Sequence, residues 1–223
     1  MKDASIILTR DGSHSLASET FDTTYHSIHG AIQESQHIFI DAAFRMKAVA
    51  QQELSILELG FGTGLNAYLS YLEAKRRGVA VAYTAIEAYP ISLQQARQLN
   101  YPDLLQRKPK AFLKLHQINW DQEKKLHRLF NLEKLKSDFQ QIDYENQFDI
   151  VYFDAFAPDI QPELWSPEVL EKTYRALKPD GFLVTYCAKG IVKRRLKAIG
   201  FLVEALKGPP GKREMTRAVK ISN

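Results

Sequence analysis

The sequence has few of the features that characterise secreted, disulfide-rich or membrane-spanning proteins. Its 223 residues include a single cysteine, Cys187, so neither an internal disulfide nor an all-cysteine metal site can form. No apolar run approaches the roughly 20 residues that cross a bilayer, and the N-terminus lacks a signal-peptide pattern. We therefore expect a cytoplasmic protein with no membrane partner and no bound metal, in which Cys187 is a buried apolar side chain.

Internal repeats and low-complexity tracts are also missing, and the composition is that of an ordinary folded domain. Apolar residues make up 45% of the chain and charged residues 25%, which leaves enough apolar surface for a core. The first fifty residues differ from the rest, with a turn between short strands at residues 9–13. We expect residues 1–50 to form an extension that packs on a main domain of residues 51–223.

Basic residues are concentrated in the C-terminal third. From Lys172 to the end there are 13 lysine and arginine residues and 3 acidic ones, whereas the first 171 residues have 17 basic and 23 acidic ones. Such an asymmetry predicts an acidic partner for the C-terminal third. A basic helix that is simply solvated would have the same composition, so charge alone leaves both interpretations open.

Strands and helices alternate from residue 55 onwards. Apolar runs and helical spacing predict strands at 55–59, 79–86, 148–154, 182–187, 201–206 and 216–221, and helices at 65–77, 91–99, 166–177 and 191–199. This order indicates an α/β, Rossmann-like fold with a mostly parallel seven-stranded sheet covered on both faces. No helix separates the last two strands, so we expect them to form an antiparallel edge hairpin. In residues 101–147, a short helix from Trp120 and a hairpin near Asn131 are alternatives.

A glycine-rich loop between the first of these strands and the first helix is the strongest functional signal. It reads Glu58-Leu59-Gly60-Phe61-Gly62-Thr63-Gly64, and glycines there let a ligand approach the backbone closely. The spacing is not the G-x-G-x-x-G of nicotinamide and flavin sites, and no Lys-Ser/Thr pair follows it. The Glu58 carboxylate suits the amino or sulfonium group of S-adenosylmethionine, which predicts a class I methyltransferase. A structural turn of small residues is the alternative.

Further cofactor contacts are predicted from position in the fold. Glu87 follows the next strand, where a carboxylate can accept hydrogen bonds from both ribose hydroxyls. Asp138 and Phe139 are placed to hold the adenine amino group and ring, provided that residues 132–136 form a strand. Phe61 in the loop and Asn66 just after it complete the predicted cofactor-binding set.

Asp154, at the end of a second buried strand, is the predicted catalytic residue. This edge of a parallel sheet holds ligands, so a carboxylate here can face the methyl donor and the acceptor together. For an amine acceptor it would hold the nucleophile and take its proton or stabilise its cation. The alternative is an aspartate that caps the turn before Pro158.

These motifs and several later ones resemble the methyltransferase half of the bacterial tRNA-modifying MnmC proteins and their stand-alone MnmD relatives. The resembling segments are residues 59–66, 154–158, 162–166, 189–196, 200–201 and 211–215. They cover most of the chain from Tyr25 onwards, and the later motifs in this order are more specific than the glycine loop.

The resemblance implies methyl transfer from S-adenosylmethionine to 5-aminomethyl-(2-thio)uridine at the tRNA wobble position. It also implies that Asp154 lies at the reacting amine and that Phe156 and Pro158 shape the base pocket. Tyr25, Phe61 and Phe156 are candidates to stack on an extruded base, with simple packing as the alternative for each. The cations suited to tRNA phosphates are Lys193, Arg194, Arg195, Lys212 and Arg213.

Departures from the family leave other expectations open. The bifunctional relatives carry a flavin oxidase half, and this chain has no second dinucleotide motif, so we expect it only to methylate, with a separate oxidase as an upstream partner. Residues 101–130 match the family least. Glu34 and His29 are predicted at the active-site mouth, with a core or capping role as the alternative. Methylation of a small-molecule or protein amine, and a non-catalytic nucleic-acid-binding module, are the competing functions.

Overall fold

The computed structural model describes residues 5–222, so residues 1–4 of the predicted extension and Asn223 of the predicted main domain lie outside the described residues. Three antiparallel strands come first: β1 (Ser5–Leu8), β2 (His14–Ser18) and β3 (Thr23–Thr24). The turn predicted at residues 9–13 joins β1 to β2, where the Thr9 amide donates to the Ser13 carbonyl over 2.9 Å.

One continuous helix follows the small sheet and packs on the rest of the molecule. It consists of α1 (Ala31–Ser35), a π-helical segment (Gln36–Phe44) and α2 (Arg45–Lys47), and we call it the N-terminal helix. The apolar side chains from Ile38 to Ile40, and those of Ala43 and Phe44, are buried, and the ring of Phe39 lies 5.0 Å from the ring of Tyr152 in the main sheet. A division of the chain at residue 50 stays a prediction.

The elements around the glycine loop lie where the sequence predicts them. They are β4 (Glu53–Leu59), α3 (Leu65–Arg77), β5 (Ala80–Ile86) and α4 (Leu93–Gln98). The helix α4 begins two residues later than predicted, because Ser92 caps it, and β5 begins one residue later than predicted. The Ser92 hydroxyl accepts a hydrogen bond from the Gln95 amide, and the Gln95 side chain accepts one from the Ser92 amide.

Residues 101–135 contain two helices and a hairpin. The elements are α5 (Tyr101–Leu104), α6 (Lys110–Gln117), β6 (Gln122–His127) and β7 (Phe130–Leu135). The hairpin alternative is therefore confirmed, and a helix beginning at Trp120 is wrong. Every second side chain of β7, namely Phe130, Leu132 and Lys134, is buried, and burial with a period of two is the mark of a strand.

The remaining elements keep the predicted order. They are β8 (Phe148–Phe153), α7 (Pro167–Ala176), β9 (Leu177–Thr185), α8 (Gly190–Ile199), β10 (Leu202–Lys207) and β11 (Glu214–Val219), with short 3-10 segments at Phe139–Gln141 and Pro162–Trp165. The Ser166 hydroxyl caps α7 by accepting a hydrogen bond from the Val169 amide over 3.3 Å, and Pro167 is the first helical residue.

The main sheet has eight strands in the order β10-β11-β9-β8-β4-β5-β7-β6. The five central strands are parallel, and the edge strands β10, β11 and β6 are antiparallel to their neighbours. The α/β Rossmann-like class and the C-terminal hairpin are confirmed, and β6 adds one strand to the seven predicted. Because the central strands run the same way, the loops that follow β4, β5, β7 and β8 meet at one edge.

Both faces of the sheet are covered. The N-terminal helix, α3 and α6 pack on one face, and α7 and α8 pack on the other around Trp165. Cys187 belongs to the second of these cores and is 4% exposed, in agreement with its predicted packing role. Within residues 5–222, no helix is long and apolar enough to cross a membrane.

A buried glutamate links the N-terminal helix to α3. Glu73 is 5% exposed and accepts hydrogen bonds from Arg45 Nε over 2.8 Å, from Arg76 Nε over 2.8 Å and from Arg77 Nε over 2.7 Å. Burial alone would raise the pKa of Glu73, but the hydrogen bonds from the three guanidinium groups outweigh burial and hold that pKa well below its usual range.

We predict that Glu73→Ala lowers the free energy of unfolding by about 1–3 kcal/mol, because three arginines lose a shared charged partner. Denaturant unfolding measures this loss, with Glu171→Ala on the exposed side of α7 as the matched control. The folded-state pKa is depressed, so the stabilisation is present above the ordinary pKa of 4.5 and disappears as the pH falls below that value. Equal stability of the two variants would contradict this account.

Candidate functional site

A cleft opens at the carboxyl edge of the parallel strands. Its walls are the glycine loop after β4, the residues that follow β5, β7 and β8, and Phe21, Tyr25 and His26 of the N-terminal extension. Ligands of open α/β sheets bind in this position. The position of the cleft is therefore that of a ligand-binding site.

The glycines of the loop are required by its geometry. Gly60, Gly62 and Gly64 all have positive φ angles, of 98°, 49° and 72°, which L side chains rarely adopt. A Cβ atom at Gly60 would lie 2.5 Å from the carbonyl oxygen of Asp154, and one at Gly64 would lie 2.9 Å from Nε2 of His116. The loop thus packs directly on the end of β8, and the first amides of α3 follow it.

Glu58 lies beneath the loop and does not line the cleft. Its side chain is fully buried, and neither carboxylate oxygen has a hydrogen-bond partner within residues 5–222, although Tyr83 and Asn66 are close by. Burial, and after it the charge of Asp154, raises the pKa of Glu58 well above its usual range. The Tyr83 and Asn66 side chains beside the carboxylate oppose this rise in the pKa.

Glu87 stands at the end of β5 and lines the cleft. Its Oε2 accepts a hydrogen bond from the Gly62 amide over 3.0 Å, and its Oε1 accepts one from the Tyr89 amide over 2.8 Å. Burial raises the pKa of the Glu87 carboxyl, and these amide hydrogen bonds oppose the rise. The carboxylate holds the glycine loop in shape while one side of it borders the cleft.

Asp138 and Phe139 line the cleft at the end of β7, the strand on which their prediction depended. The Oδ1 atom of Asp138 accepts a hydrogen bond from the Gln140 amide over 2.8 Å, which caps a short 3-10 turn. Phe139 is 5% exposed, and its ring meets the ring of Phe153 edge-on at 6.3 Å. Both residues are thus held in place by local contacts.

Asp154 lies between the glycine loop and the first turn of α3. Its amide donates to the Leu59 carbonyl over 2.9 Å, and its Oδ2 accepts a hydrogen bond from Nδ2 of Asn66 over 2.8 Å. Burial first, and the charge of Glu34 second, raise the pKa of Asp154 to about 7, while Asn66 and Lys212 oppose the rise. Such a carboxyl can hold or accept a proton near neutral pH.

An ion pair behind Asp154 joins the N-terminal helix to the loop before β11. Nζ of Lys212 lies 2.6 Å from Oε1 of Glu34, and Oε2 of Glu34 accepts a hydrogen bond from the Ser27 amide over 3.0 Å. Glu34 is 7% exposed and does not line the cleft, so it lies behind the cleft wall and not at the mouth. His29 does not line the cleft either, and its ring packs against Gly211. The charges of Glu34 and Lys212 nevertheless act on the pKa of Asp154.

Aromatic rings form the outer rim of the cleft. The ring of Phe156 lies 5.2 Å from the ring of Tyr25 and 5.2 Å from that of Phe21, and Phe21 lies 5.6 Å from Tyr89. Two of the three predicted stacking residues, Tyr25 and Phe156, are therefore neighbours at the same opening.

Phe61 differs from the other predicted stacking residues. It is 3% exposed, and its ring packs edge-on against His116 at 5.5 Å and Trp120 at 5.8 Å. The packing alternative is thus what the structure shows for this ring. Pro158 is partly buried in the loop after β8 and is not part of the cleft lining.

The predicted phosphate contacts lie outside the cleft, and most of them already have partners in the protein. Nζ of Lys193 lies 2.7 Å from Oε2 of Glu214, and Arg195 donates to the Trp165 carbonyl over 2.7 Å. Lys212 is engaged by Glu34. Two members of the set are exposed and make no ion pair with the described residues, namely Arg194 and Arg213.

The cleft lining also includes polar and aromatic side chains that the sequence analysis did not predict as site residues, namely Phe21, His26, Thr63, Tyr89, Gln161 and Glu163. Tyr89 follows β5 by three residues, and that position alone would have identified it. Phe21 comes from a turn in the N-terminal extension, and no local pattern reveals where such a turn will pack. Burial lowers the pKa of His26 to about 4, so its ring is neutral at pH 7.

Residues 93–221 match the family model of S-adenosyl-L-methionine-dependent methyltransferases. The chain is 33% identical over 216 residues to the tRNA 5-methylaminomethyl-2-thiouridine biosynthesis bifunctional protein MnmC of Cupriavidus necator, which covers 90% of this chain and 32% of that protein. It is 32% identical over 213 residues to the protein of the same name from Leptospira interrogans, with 89% and 32% covered. The chain thus spans about a third of the length of these relatives.

Among solved structures, the crystal structure of MNMC2 from Aquifex aeolicus superposes with a TM-score of 0.80 at 24% identity, covering 98% of this chain and 70% of that one. Spermidine synthase from Thermotoga maritima has a TM-score of 0.56 at 15% identity, with 96% and 72% covered. These two likenesses concern the fold. The family match over residues 93–221 shows that this chain belongs to the S-adenosyl-L-methionine-dependent methyltransferases.

Proposed function

We propose that this protein methylates the amine of 5-aminomethyl-(2-thio)uridine at the tRNA wobble position and so produces the 5-methylaminomethyl form. The observation that carries the proposal is Asp154, a carboxyl with a pKa of about 7 in an aromatic-rimmed cleft against the glycine loop. The chain is similar to proteins named for 5-methylaminomethyl-2-thiouridine biosynthesis, although it spans about a third of their length. That similarity supports the choice of acceptor.

The residues around the glycine loop fit S-adenosylmethionine. Two buried groups that line the cleft there have polar atoms without a partner in residues 5–222: Oδ1 of Asn66 and the hydroxyl of Thr63. The residues of the cleft lining that we propose to hold the donor are Gly60, Phe61, Gly62, Asn66, Glu87, Asp138 and Phe139. Glu58 and Gly64 belong to the same proposed set but do not line the cleft. When bound, S-adenosylmethionine supplies an electrophilic methyl group on a sulfonium sulfur.

Asp154 performs the acid–base part of the reaction in this proposal. Its carboxylate accepts an N–H of the acceptor amine and takes the proton that the amine must lose. The hydrogen bond from Asn66 keeps the carboxylate oriented between the glycine loop and the cleft. Holding an amine in a fixed position supplies much of the rate of a transfer reaction, and a base with a pKa near the working pH supplies more.

The rim of the cleft suits a base taken out of a single-stranded loop. Sequence-specific RNA recognition commonly stacks such bases on aromatic side chains, and Tyr25 and Phe156 are placed for that contact. Pro158 shapes the same pocket in the proposal, and Arg194 and Arg213 remain available for phosphates. An oxidase that supplies the aminomethyl precursor would act upstream, and a tRNA acceptor would place the reaction in the cytoplasm. Both of these statements stay predictions.

Replacing Gly60 tests the proposed donor site. Gly60→Ala puts a Cβ atom 2.5 Å from the Asp154 carbonyl oxygen. We therefore expect calorimetry to show at least about a tenfold loss of S-adenosylmethionine affinity, which is a loss of about 1.4 kcal/mol in binding free energy. Gly78→Ala is the matched control, because Gly78 has a φ of 76° and no atom within 4 Å of the added Cβ. Both variants should keep a folded circular-dichroism spectrum. Unchanged affinity in folded Gly60→Ala would refute the assignment.

Methyl transfer to tRNA tests the reaction itself. Labelled S-adenosylmethionine should methylate tRNA from cells that lack this activity, and nucleoside analysis should identify 5-methylaminomethyl-(2-thio)uridine. Asp154→Asn should lower turnover by about 10²–10⁴-fold, the range for a lost acid–base group, while donor affinity stays within a few fold. The control is Asp159→Asn, because that side chain is 75% exposed. Label in a small amine or a protein, and none in tRNA, would overturn the proposal.

The pH profile should report the ionisation of Asp154. Its pKa is raised to about 7, and only the carboxylate can accept a proton, so activity should fall as the pH drops through about 7. Neutralising Glu34 removes a charge that raises this pKa, so Glu34→Gln should move the acidic limb to lower pH. The exposed Glu171→Gln serves as the control, and the titration of the substrate amine is common to all three proteins. If Glu34→Gln leaves the acidic limb of the pH–activity profile at the wild-type pH, the result would be evidence against Asp154 as the base.

A further inference from the structure

A second groove lies outside the cleft and shares no residue with it. It runs between the second half of α3, the segment from Arg107 to Lys114 that includes most of α6, and Leu126 of β6. Its cationic side chains are Lys75, Arg107, Lys108, Lys110 and Lys114. We call this surface the basic groove. It lies mostly in the part of the sequence to which the motifs assign no role.

The positive charge of the basic groove is not compensated by the protein. None of its five cations makes an ion pair within residues 5–222. Residues 104–119 contain four lysine and arginine residues and no aspartate or glutamate. Glu73 is the acidic residue of α3 that lies close to Lys75 in sequence, and its carboxylate accepts hydrogen bonds from Arg45, Arg76 and Arg77. An anionic partner would therefore meet no competing carboxylate on the groove walls.

The C-terminal third, which has the larger excess of basic residues in sequence, differs in this respect. Lys193 pairs with Glu214, Lys212 with Glu34 and Arg217 with Glu204. Arg194, Lys197, Lys207 and Arg213 of the same third are exposed and make no ion pair with the described residues. Free positive charge is thus present on both surfaces, but only in the basic groove do all the cations lack an ion-pair partner.

Two tyrosines give the basic groove a polar and aromatic wall. The Tyr68 hydroxyl is buried and has no hydrogen-bond partner in the described chain, although Tyr68 borders the groove and the Arg107 charge acts on it. Nζ of Lys75 lies 5.4 Å from the ring centroid of Tyr71. Guanidinium and ammonium donors beside an aromatic ring suit a sugar-phosphate chain.

We propose that the basic groove binds the sugar-phosphate backbone of the tRNA at a distance from the reacting base. The choice of RNA rests on the proposed function. Asn66 in the first turn of α3 contacts Asp154, and Lys75 follows nine residues later, which is about 14 Å along the helix. Lys110 and Lys114 lie one turn apart on α6. One helix therefore connects the cleft to the groove over a distance that a folded RNA easily spans.

The test removes three groove charges together. Arg107→Gln/Lys110→Gln/Lys114→Gln should raise KM for tRNA at least about tenfold and leave kcat and S-adenosylmethionine affinity unchanged. Each lost phosphate contact changes the slope of log Kd against log salt concentration by about 0.7–0.9, so the slope for tRNA binding should fall by about 2–3. The matched control loses the same charge from exposed sites elsewhere, as Arg97→Gln/Lys197→Gln/Lys207→Gln. We expect its KM to stay within about twofold.

The outcomes separate the groove from the proposed function. If the wild-type protein methylates tRNA and the groove variant keeps the same KM, the groove assignment falls and the function stands. If the wild type binds tRNA without methylating it and the groove variant loses that binding, the groove stands and the function falls. Equal increases in KM for tRNA in the groove variant and in the control would show an effect of net charge alone and would overturn the proposal. Binding to phosphatidylglycerol vesicles that depends on the groove, without tRNA binding, would also overturn it.

Discussion

The close approach of Gly60 to the end of β8 is the contact on which the rest of the site depends. A Cβ atom at this position would lie 2.5 Å from the Asp154 carbonyl oxygen, and the Asp154 amide donates to Leu59 next to it. Because β4 and β8 are neighbouring parallel strands, this contact brings the glycine loop and the predicted base together. Asn66, in the first turn of α3 that follows the loop, donates a hydrogen bond to the Asp154 carboxylate. The proposed donor site and the proposed base therefore lie in one cleft because the ends of these two strands are in contact.

The electrostatics of Asp154 come from elements that are far apart in sequence. Burial raises its pKa, Glu34 of the N-terminal helix adds to the rise, and Lys212 before β11 opposes it. Glu34 and Lys212 are themselves paired, so the N-terminal extension and the C-terminal hairpin act on the same carboxyl. The N-terminal helix therefore contributes to the raised pKa of Asp154 through the charge of Glu34, although burial is the larger cause.

The distribution of free charge shows how composition and surface differ. Composition places the basic excess after Lys172, yet ion pairs and carbonyl contacts absorb much of it. The basic groove has fewer cations in sequence, but no acidic residue is placed to neutralise them. Sequence counts report net charge, whereas binding to a polyanion depends on charges that have no partner. Only the packed structure distinguishes these two quantities.

The sequence by itself determined the element order, the α/β class and the positions of Gly60, Glu87 and Asp154, because hydrophobic period and turn chemistry are local properties. It left residues 101–135 open, where short α5 and α6 and the exposed β6 have weak periodicity. It left two alternatives open for each of two residues: the active-site mouth or a core role for Glu34, and base stacking or packing for Phe61. The tertiary structure decided that Glu34 is a buried charge behind Asp154 and that Phe61 packs on His116. The physical reason is that burial and charge pairing depend on neighbours distant in sequence, which no local pattern specifies.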